Sequence, residues 1–355
     1  MSNGVVRRPA VPPPVRIRRD VAHLTSSDPI LVFYEKAIAQ MQAGNVLDDP
    51  SSWRYQGAVH DYPSDPSTGR IDERKFPART GDPNQSPSDT FPSDANTFWA
   101  VCEHGSWFFL SWHRMYLHFF ERIVAKIIAG MEGGPKDWAL PYWNVSASPQ
   151  SALLPAPFRT PADKNRNHLF VPQRSGRANS GQAFLDVDRF GNFQPNRPDT
   201  NLNCLKASSF KGVRPAFGGP ARSFHFPANS GTLEMVPHNA VHNNFQGGSF
   251  MINPETAALD PIFWLHHCNI DRLWEVWVQR QKHLSRLDRN PKDSDPDLDS
   301  KKWLDGDSSG NQGKFLFRDE NGASVTITSR EVLDTRQPPL SYEYEDISDP
   351  FNGAP

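Results

Sequence analysis

The stretch Asp260-Pro-Ile-Phe-Trp-Leu-His-His-Cys-Asn-Ile-Asp-Arg-Leu-Trp274 decides the architecture. Asp260 offers a side-chain acceptor to the free N–H groups of a helix start. Pro261 has no N–H to leave unsatisfied and a φ already suited to the first turn. From Ile262 to Gln281 nothing interrupts an α-helix. Two adjacent histidines, His266 and His267, ride on it about 100° apart around the axis, so only one of them can face any single metal ion. The other packs or supports.

Upstream, Pro237-His-Asn-Ala-Val-His242 places His238 and His242 four residues apart, on one face of a short helix predicted around His238–Phe245. A third imidazole from the longer helix would complete a three-nitrogen site with one coordination position open. Further back, His104 and His113 bracket Gly-Ser-Trp-Phe-Phe-Leu-Ser-Trp, and His60 follows Tyr-Gln-Gly-Ala-Val. Their separation of nine is no helical repeat and fits one ligand just ahead of a helix and one inside it. Histidines filling an aromatic-rich core would explain these positions equally well. Imidazole also serves Zn, Cu, Fe and Ni alike, which leaves the metal open.

The remaining chain is helical in parts and rich in loops. Asp28 and Pro29 start a helix in which Ile30, Phe33, Tyr34, Ala37, Ile38 and Met41 recur at helical spacing before Gly44. Residues 61–97, crowded with Pro, Asp, Ser and Thr, read as loop. Phe98 to Ala129 carries dense apolar residues, and within it a long helix is expected from about His113, with an irregular or helical approach before it. Residues 146–233 form an unusually long connection, and a charged, loop-like stretch follows Leu284. Short strands are expected at Lys314–Arg318 and Ala323–Thr328 across the turn Asp-Glu-Asn-Gly. Residues 1–14 are Pro-rich and read as an extended or disordered tail.

Composition narrows the partners. The 355 residues carry 38 basic and 40 acidic side chains, so no large basic surface recruits nucleic acid and a small molecule is the expected partner. No run approaches the roughly 20 apolar residues of a membrane helix, and no apolar stretch follows the early arginines as in a secretory signal. The expectation is a soluble, cytoplasmic protein. Cys102, Cys204 and Cys268 are too few and scattered for a disulfide framework.

Two long motifs carry a family resemblance. Cys102-Glu-His-Gly-Ser-Trp-Phe-Phe-Leu-Ser-Trp-His-Arg-Met-Tyr-Leu-His-Phe-Phe-Glu-Arg122 resembles the copper A motif of the polyphenol oxidases, the tyrosinases and catechol oxidases. Pro237–His242 followed by Asp260–Trp274 resembles their copper B motif. Arg16-Ile-Arg-Arg19 and Tyr342-Glu-Tyr344 resemble the arginine and tyrosine pair that tie the two ends of such proteins together. The likeness therefore runs over roughly residues 15–345.

That resemblance implies a mainly α fold: a tyrosinase-like antiparallel four-helix bundle around a dicopper centre, with long loops and a few short peripheral strands. It implies one catalytic domain over residues 15–345, with tails at 1–14 and 346–355. Two copper ions that bind O2 would be held by His60, His104 and His113 (copper A) and by His238, His242 and His267 (copper B), leaving His266 as a packing neighbour. Phe109 and Phe263 match aromatics near the metals, and Asp271 matches an acid that orients the site. Cys102-Glu-His104 resembles the fungal version of copper A, in which the cysteine and the histidine are joined by a thioether.

The activity implied is O2-dependent oxidation of phenols to ortho-quinones, covering both monophenol hydroxylation and o-diphenol oxidation. In the family a glutamate and an asparagine hold the water that deprotonates a monophenol; here they match Glu234 and Asn239. Plant members carry cysteines near the first copper ligand and a covering C-terminal domain, whereas this chain has no cysteine before Cys102 and stops soon after Tyr344. A naturally short or processed form is the expectation. The substrate-gating residue falls within Phe250–Glu255. Competing readings are a catechol or o-aminophenol oxidase without monophenolase activity, and a hemocyanin-like oxygen carrier.

Overall fold

Why these residues form helices is visible at their ends. In the computed structural model, which describes residues 15–44, 47–64, 95–187, 199–212, 215–225, 229–246, 248–284, 298–307 and 312–352, helix α1 spans Pro29–Gly44. Asp28 Oδ1 accepts the Ile30 N–H at 2.9 Å, and Leu31, Tyr34, Ala37, Ile38 and Met41 are buried along it. Helix α2 (Trp53–His60) starts at Ser52, whose hydroxyl accepts the Tyr55 N–H, and every one of its residues is buried. Helix α3 (Phe109–Ala129) begins four residues earlier than the sequence reading placed it, because the Ser106 hydroxyl and carbonyl take the Phe108 and Phe109 N–H groups at 3.0 and 3.2 Å.

The short helix expected at His238–Phe245 is two pieces. A π-helical turn over Glu234–Asn239, broken at Val236 (φ −145°, ψ 122°), leads into α4 (Ala240–Asn244). Helix α5 (Pro261–His283) is capped as expected, with Asp260 Oδ1 accepting the Ile262 N–H at 3.1 Å. A further helix, α6 (Leu298–Asp305), lies in the charged stretch read as loop-like; residues 285–297 of that stretch, residues 65–94 of the first loop, and the expected tail at 1–14 fall outside the described residues.

Helix α3 packs against both α5 and α1, and α1 against α2. The Phe120 ring of α3 stacks on Trp264 of α5, with Trp53 of α2 edge-on to Phe120 and tilted against Trp264. Fully burying side chains of this kind stabilises by about 1.5–3 kcal/mol each, and the aromatic geometry adds to that. The long connection braces this core. Arg174, itself buried, donates to both carboxylate oxygens of Asp260 at 2.8 and 2.6 Å and to the carbonyl of Leu169 at 2.8 Å, so the start of α5 is fixed from outside the bundle.

Two small ribbons lie at the periphery. Strands β2 (Lys314–Arg318) and β3 (Ser324–Thr328) form the expected antiparallel hairpin. Strand β1 (Arg16–Arg18) pairs in parallel with β4 (Tyr342–Tyr344), which joins the two ends as the resemblance implied. Between them Arg18 is fully buried, 2.8 Å from Glu121, 2.9 Å from the Tyr344 hydroxyl and 3.6 Å above the Tyr342 ring. Residues 346–352 also dock on α5, through Arg272 to the Asp346 carbonyl at 3.1 Å and Arg280 to Asp349 at 2.7 Å. No helix among the described residues is long and apolar enough to cross a membrane.

Candidate metal centre

Six histidines converge where α2, α3, α4 and α5 meet. His60 ends α2, His104 precedes α3, His113 lies in its first turns, His238 closes the π-helical turn, and His242 and His267 sit on α4 and α5. In one group the ring centroids of His60, His104 and His113 are 5.2–5.7 Å apart. In the other, His238, His242 and His267 are 4.6–5.6 Å apart. Five of the six are buried and His242 is half-buried.

The ring nitrogens divide into two sets. Nδ1 of His60, His113 and His242 meets the carbonyls of Pro254, Phe109 and Met251 at 2.8, 2.8 and 2.6 Å, and Nδ1 of His238 meets Asn239 Oδ1 at 2.9 Å. A carbonyl can only accept, so these contacts put the proton on Nδ1 and leave a lone pair on Nε2. The Nε2 atoms face inward: His267 Nε2 is 3.3 Å from that of His238 and 3.4 Å from that of His242, while those of His60 and His113 are buried with no hydrogen-bond partner. Buried imidazole nitrogens gathered this closely form a donor set that fits metal ions with a preference for imidazole nitrogen.

Charge points the same way. Burial is the first cause that lowers the proton affinity of each ring: His60 and His242 are pulled down to about 4, and His104, His113, His238 and His267 are held well below the ordinary range, with neighbouring imidazoles adding to the effect. All six are neutral at pH 7, as ligands must be.

His266 also approaches the second group. It is fully buried, its ring lies near-parallel to that of His238 at 5.5 Å, and one of its nitrogens comes within 4.8 Å of ligand atoms of both His238 and His242. His267 has the better claim: its Nε2 opposes both partners at 3.3–3.4 Å, and its ring also faces the first group.

Phe109 lies 4.6 and 4.8 Å from the rings of His113 and His238, and Phe263 lies 4.2 and 5.1 Å from those of His267 and His60, so both aromatics wall the histidine cluster. Among the described residues Asp271 makes no hydrogen bond to an imidazole. It accepts from Arg114 at 2.5 Å, from the Tyr342 and Tyr344 hydroxyls at 2.5 and 2.6 Å, and from Arg18 at 3.3 Å, while neighbouring Arg272 turns to Asn269 instead. Cys102 Sγ lies 3.3 Å from His104 Nδ1.

Glu234 is fully buried. The Gly105 N–H reaches its two oxygens at 2.8 and 3.1 Å, and burial pushes its carboxyl up to about 7. No direct hydrogen bond joins it to Asn239 among the described residues. A cavity open to solvent lies over the imidazoles, walled by Asn239, Asn243, Met251 and Ile252. Met251 and Ile252 lie within the stretch expected to hold the gate. Sequence reasoning missed the carbonyls of Pro254 and Met251, since main-chain acceptors carry no residue signal. It also missed His225, whose Nδ1 is 3.3 Å from Cys102 Sγ.

Known proteins match this chain along most of its length. The common central domain of tyrosinase matches residues 50–280, and the polyphenol oxidase middle domain matches residues 297–353. Tyrosinase HcTyr1 of Hahella sp. (strain CCB-MM4) is 37% identical over 93% of this chain and 63% of its own length, and a chloroplastic polyphenol oxidase of Malus domestica is 30% identical over 96% and 50%. The chain thus spans about half to two thirds of those relatives. Latent apple tyrosinase superposes with a TM-score of 0.63 at 28% identity, covering 96% of this chain and 65% of that one; Grenache (Vitis vinifera) polyphenol oxidase gives 0.62 at 27%, covering 95% and 87%. A helical scaffold that gathers two groups of neutral imidazoles, matched over nearly its whole length by these proteins, belongs to the tyrosinase and polyphenol oxidase family.

Proposed function

We propose that the protein oxidises phenols with O2 at a pair of copper ions, held by His60, His104 and His113 on one side and by His238, His242 and His267 on the other, giving ortho-quinones. The observation that carries this reading is the inward-facing set of Nε2 atoms, those of His60, His113, His238 and His242 left unprotonated by their Nδ1 bonds, beneath an open cavity. Copper bound there would supply O2 binding and two-electron chemistry, which zinc lacks. The protein's part is to keep the imidazoles neutral, to fix those of His60, His113, His238 and His242 by their Nδ1 bonds, and to wall the cluster with Phe109 and Phe263.

For a monophenol the chain must also remove the phenolic proton. We assign this to Glu234 and Asn239 acting through a water. Asn239 lines the cavity and also holds His238 Nδ1, and Glu234 has an affinity near neutrality, where a base is most useful. General-base help of this kind is worth about 10²–10⁴-fold. The second reading, catechol oxidation alone, is favoured by one observation: the Glu234 carboxylate is already engaged by Gly105.

The experiment is copper content together with O2 uptake on tyramine and on 4-methylcatechol, for the wild type, Glu234→Gln and Asn239→Gly. The proposal expects about two coppers per chain, both activities in the wild type, and a selective loss on tyramine in the variants. Equal losses on both substrates would make the two residues structural. Wild type inert on tyramine would leave catechol oxidation, and a chain that binds no copper would end the proposal.

A further inference from the structure

We propose that His225 is a positioning residue for a covalent modification of the site: it holds the Cys102 thiol against the His104 ring so that a carbon–sulfur bond forms between them. The inference rests on the copper reading above, because the bond needs an oxidant at that site.

The geometry is a sulfur clamped between two imidazoles. Cys102 Sγ is 3.3 Å from His104 Nδ1 on one side and 3.3 Å from His225 Nδ1 on the other. His225 Nδ1 also meets the Cys102 carbonyl at 2.8 Å, which identifies it as a donor and pins the residue at both its main chain and its sulfur. The far nitrogen, Nε2, lies 3.5 Å from Asp61 Oδ2. Asp61 follows His60 directly and caps the end of α2. His225 therefore braces the loop carrying His104 against the helix carrying His60.

Its own segment is fastened along the same loop. The His104 N–H donates to the Phe224 carbonyl at 2.7 Å, and the Glu103 carboxylate accepts the Phe224 N–H at 2.8 Å and the Ser223 hydroxyl. With main chain and brace both held, a buried thiol has little room to rotate away from the imidazole. The ring carbon between the two nitrogens is bonded to the Nδ1 that the sulfur already touches.

The step balances with O2 as oxidant. The thiol S–H and the ring C–H break, the C–S bond forms, and the two hydrogens with their two electrons reduce one O2 to hydrogen peroxide. His225 is unchanged at the end. Its contribution is to orient the reactants, and a misplacement of about 1 Å in such a reaction can cost about 10²-fold.

The test follows the full-length chain after copper loading in air-saturated buffer, by intact mass and by alkylation of Cys102. His225→Phe fills the space without either contact, and His225→Asn keeps a donor for the carbonyl; copper content and melting temperature are measured for each. The wild type is expected to lose two hydrogens and to become resistant to alkylation at Cys102. His225→Phe should do so at least about tenfold more slowly at equal copper content, with His225→Asn in between. Linkage in His225→Phe at the wild-type rate overturns the role of His225 and leaves the copper reading standing. If that variant cannot hold copper, His225→Asn decides, and a wild-type rate there overturns the role. A copper-loaded wild type whose mass never changes removes both the bond and the role, and a wild type that takes up no copper removes the functional reading with them.

Discussion

His113 and His267 lie face to face, their ring centroids 4.5 Å apart and their planes 13° from parallel. One belongs to α3 and the other to α5, the two longest helices, so the packing of these helices sets the distance between the two histidine groups. The stack of Phe120 on Trp264 lies along the same contact. Because close-packed interiors shift little, this fixes the separation before any ion binds.

His267→Ala should remove roughly one copper per chain and nearly all oxidase activity, whereas His266→Ala should keep both coppers. Metal analysis of the two variants decides between adjacent residues of one helix. If copper survives in the first and is lost in the second, the assignment is off by one position.

Acid should loosen the site through its histidines. His60 titrates near 4 in the fold against about 6.5 unfolded, so between these values the unfolded chain binds more protons. This residue's contribution to stability is fully present above pH 6.5 and is lost as pH drops towards 4, by on the order of 3 kcal/mol. His242 behaves alike. Retained copper and unfolding free energy, measured from pH 8 to 4, should decline together, and a flat profile would contradict the buried, neutral state.

Glu234 should act in the opposite sense. Its carboxyl is raised from 4.5 to about 7, so in that window the folded chain holds the extra proton and stability falls as pH rises. The difference between wild type and Glu234→Gln isolates this effect. It should change by about 3 kcal/mol across the window, and a constant difference would mean the carboxylate is already stabilised in its charged form.

Asp271→Asn should cost about 1.5–3 kcal/mol, because it takes one shared counter-charge from the buried Arg114 and Arg18, which keep Glu275 and Glu121, while the two tyrosine hydroxyls keep an acceptor. Copper content at low temperature should be unchanged, since among the described residues Asp271 makes no hydrogen bond to an imidazole. Loss of copper without loss of stability would restore a direct orienting role.

The sequence makes some of this plain and hides the rest, for reasons of range. Helices α1 and α5 are legible because caps and apolar spacing are local: Asp28 with Pro29, and Asp260 with Pro261. Helix α2 is not. It is only eight residues long and buried all round, Arg54 and Gln56 included, so it shows no amphipathic period. Helix α6 is hidden in a charged stretch because tertiary contact holds it, with Trp303 buried and donating to the Trp107 carbonyl at 2.9 Å.

The site divides in the same way. The spacing of His238 and His242 is local, and the six histidines stand out once the motifs are matched. His225 lies 123 residues from Cys102. No periodicity connects the two, and only the folded chain brings them together.

The pairing of β1 with β4 gives the protein a mechanical character. Arg16, Ile17 and Arg18 run alongside Tyr342, Glu343 and Tyr344, with the flanking bonds Arg16 N–H to Ser341 O at 3.0 Å and Glu345 N–H to Arg18 O at 2.9 Å. Tension applied between residues 16 and 344 loads these parallel strands in shear, so their rungs and the ion pairs of Arg18 have to give way together rather than peel one after another. The pairing thus clasps residues 16–18 to residues 342–344, so that a pull along the strands meets all of its bonds at once.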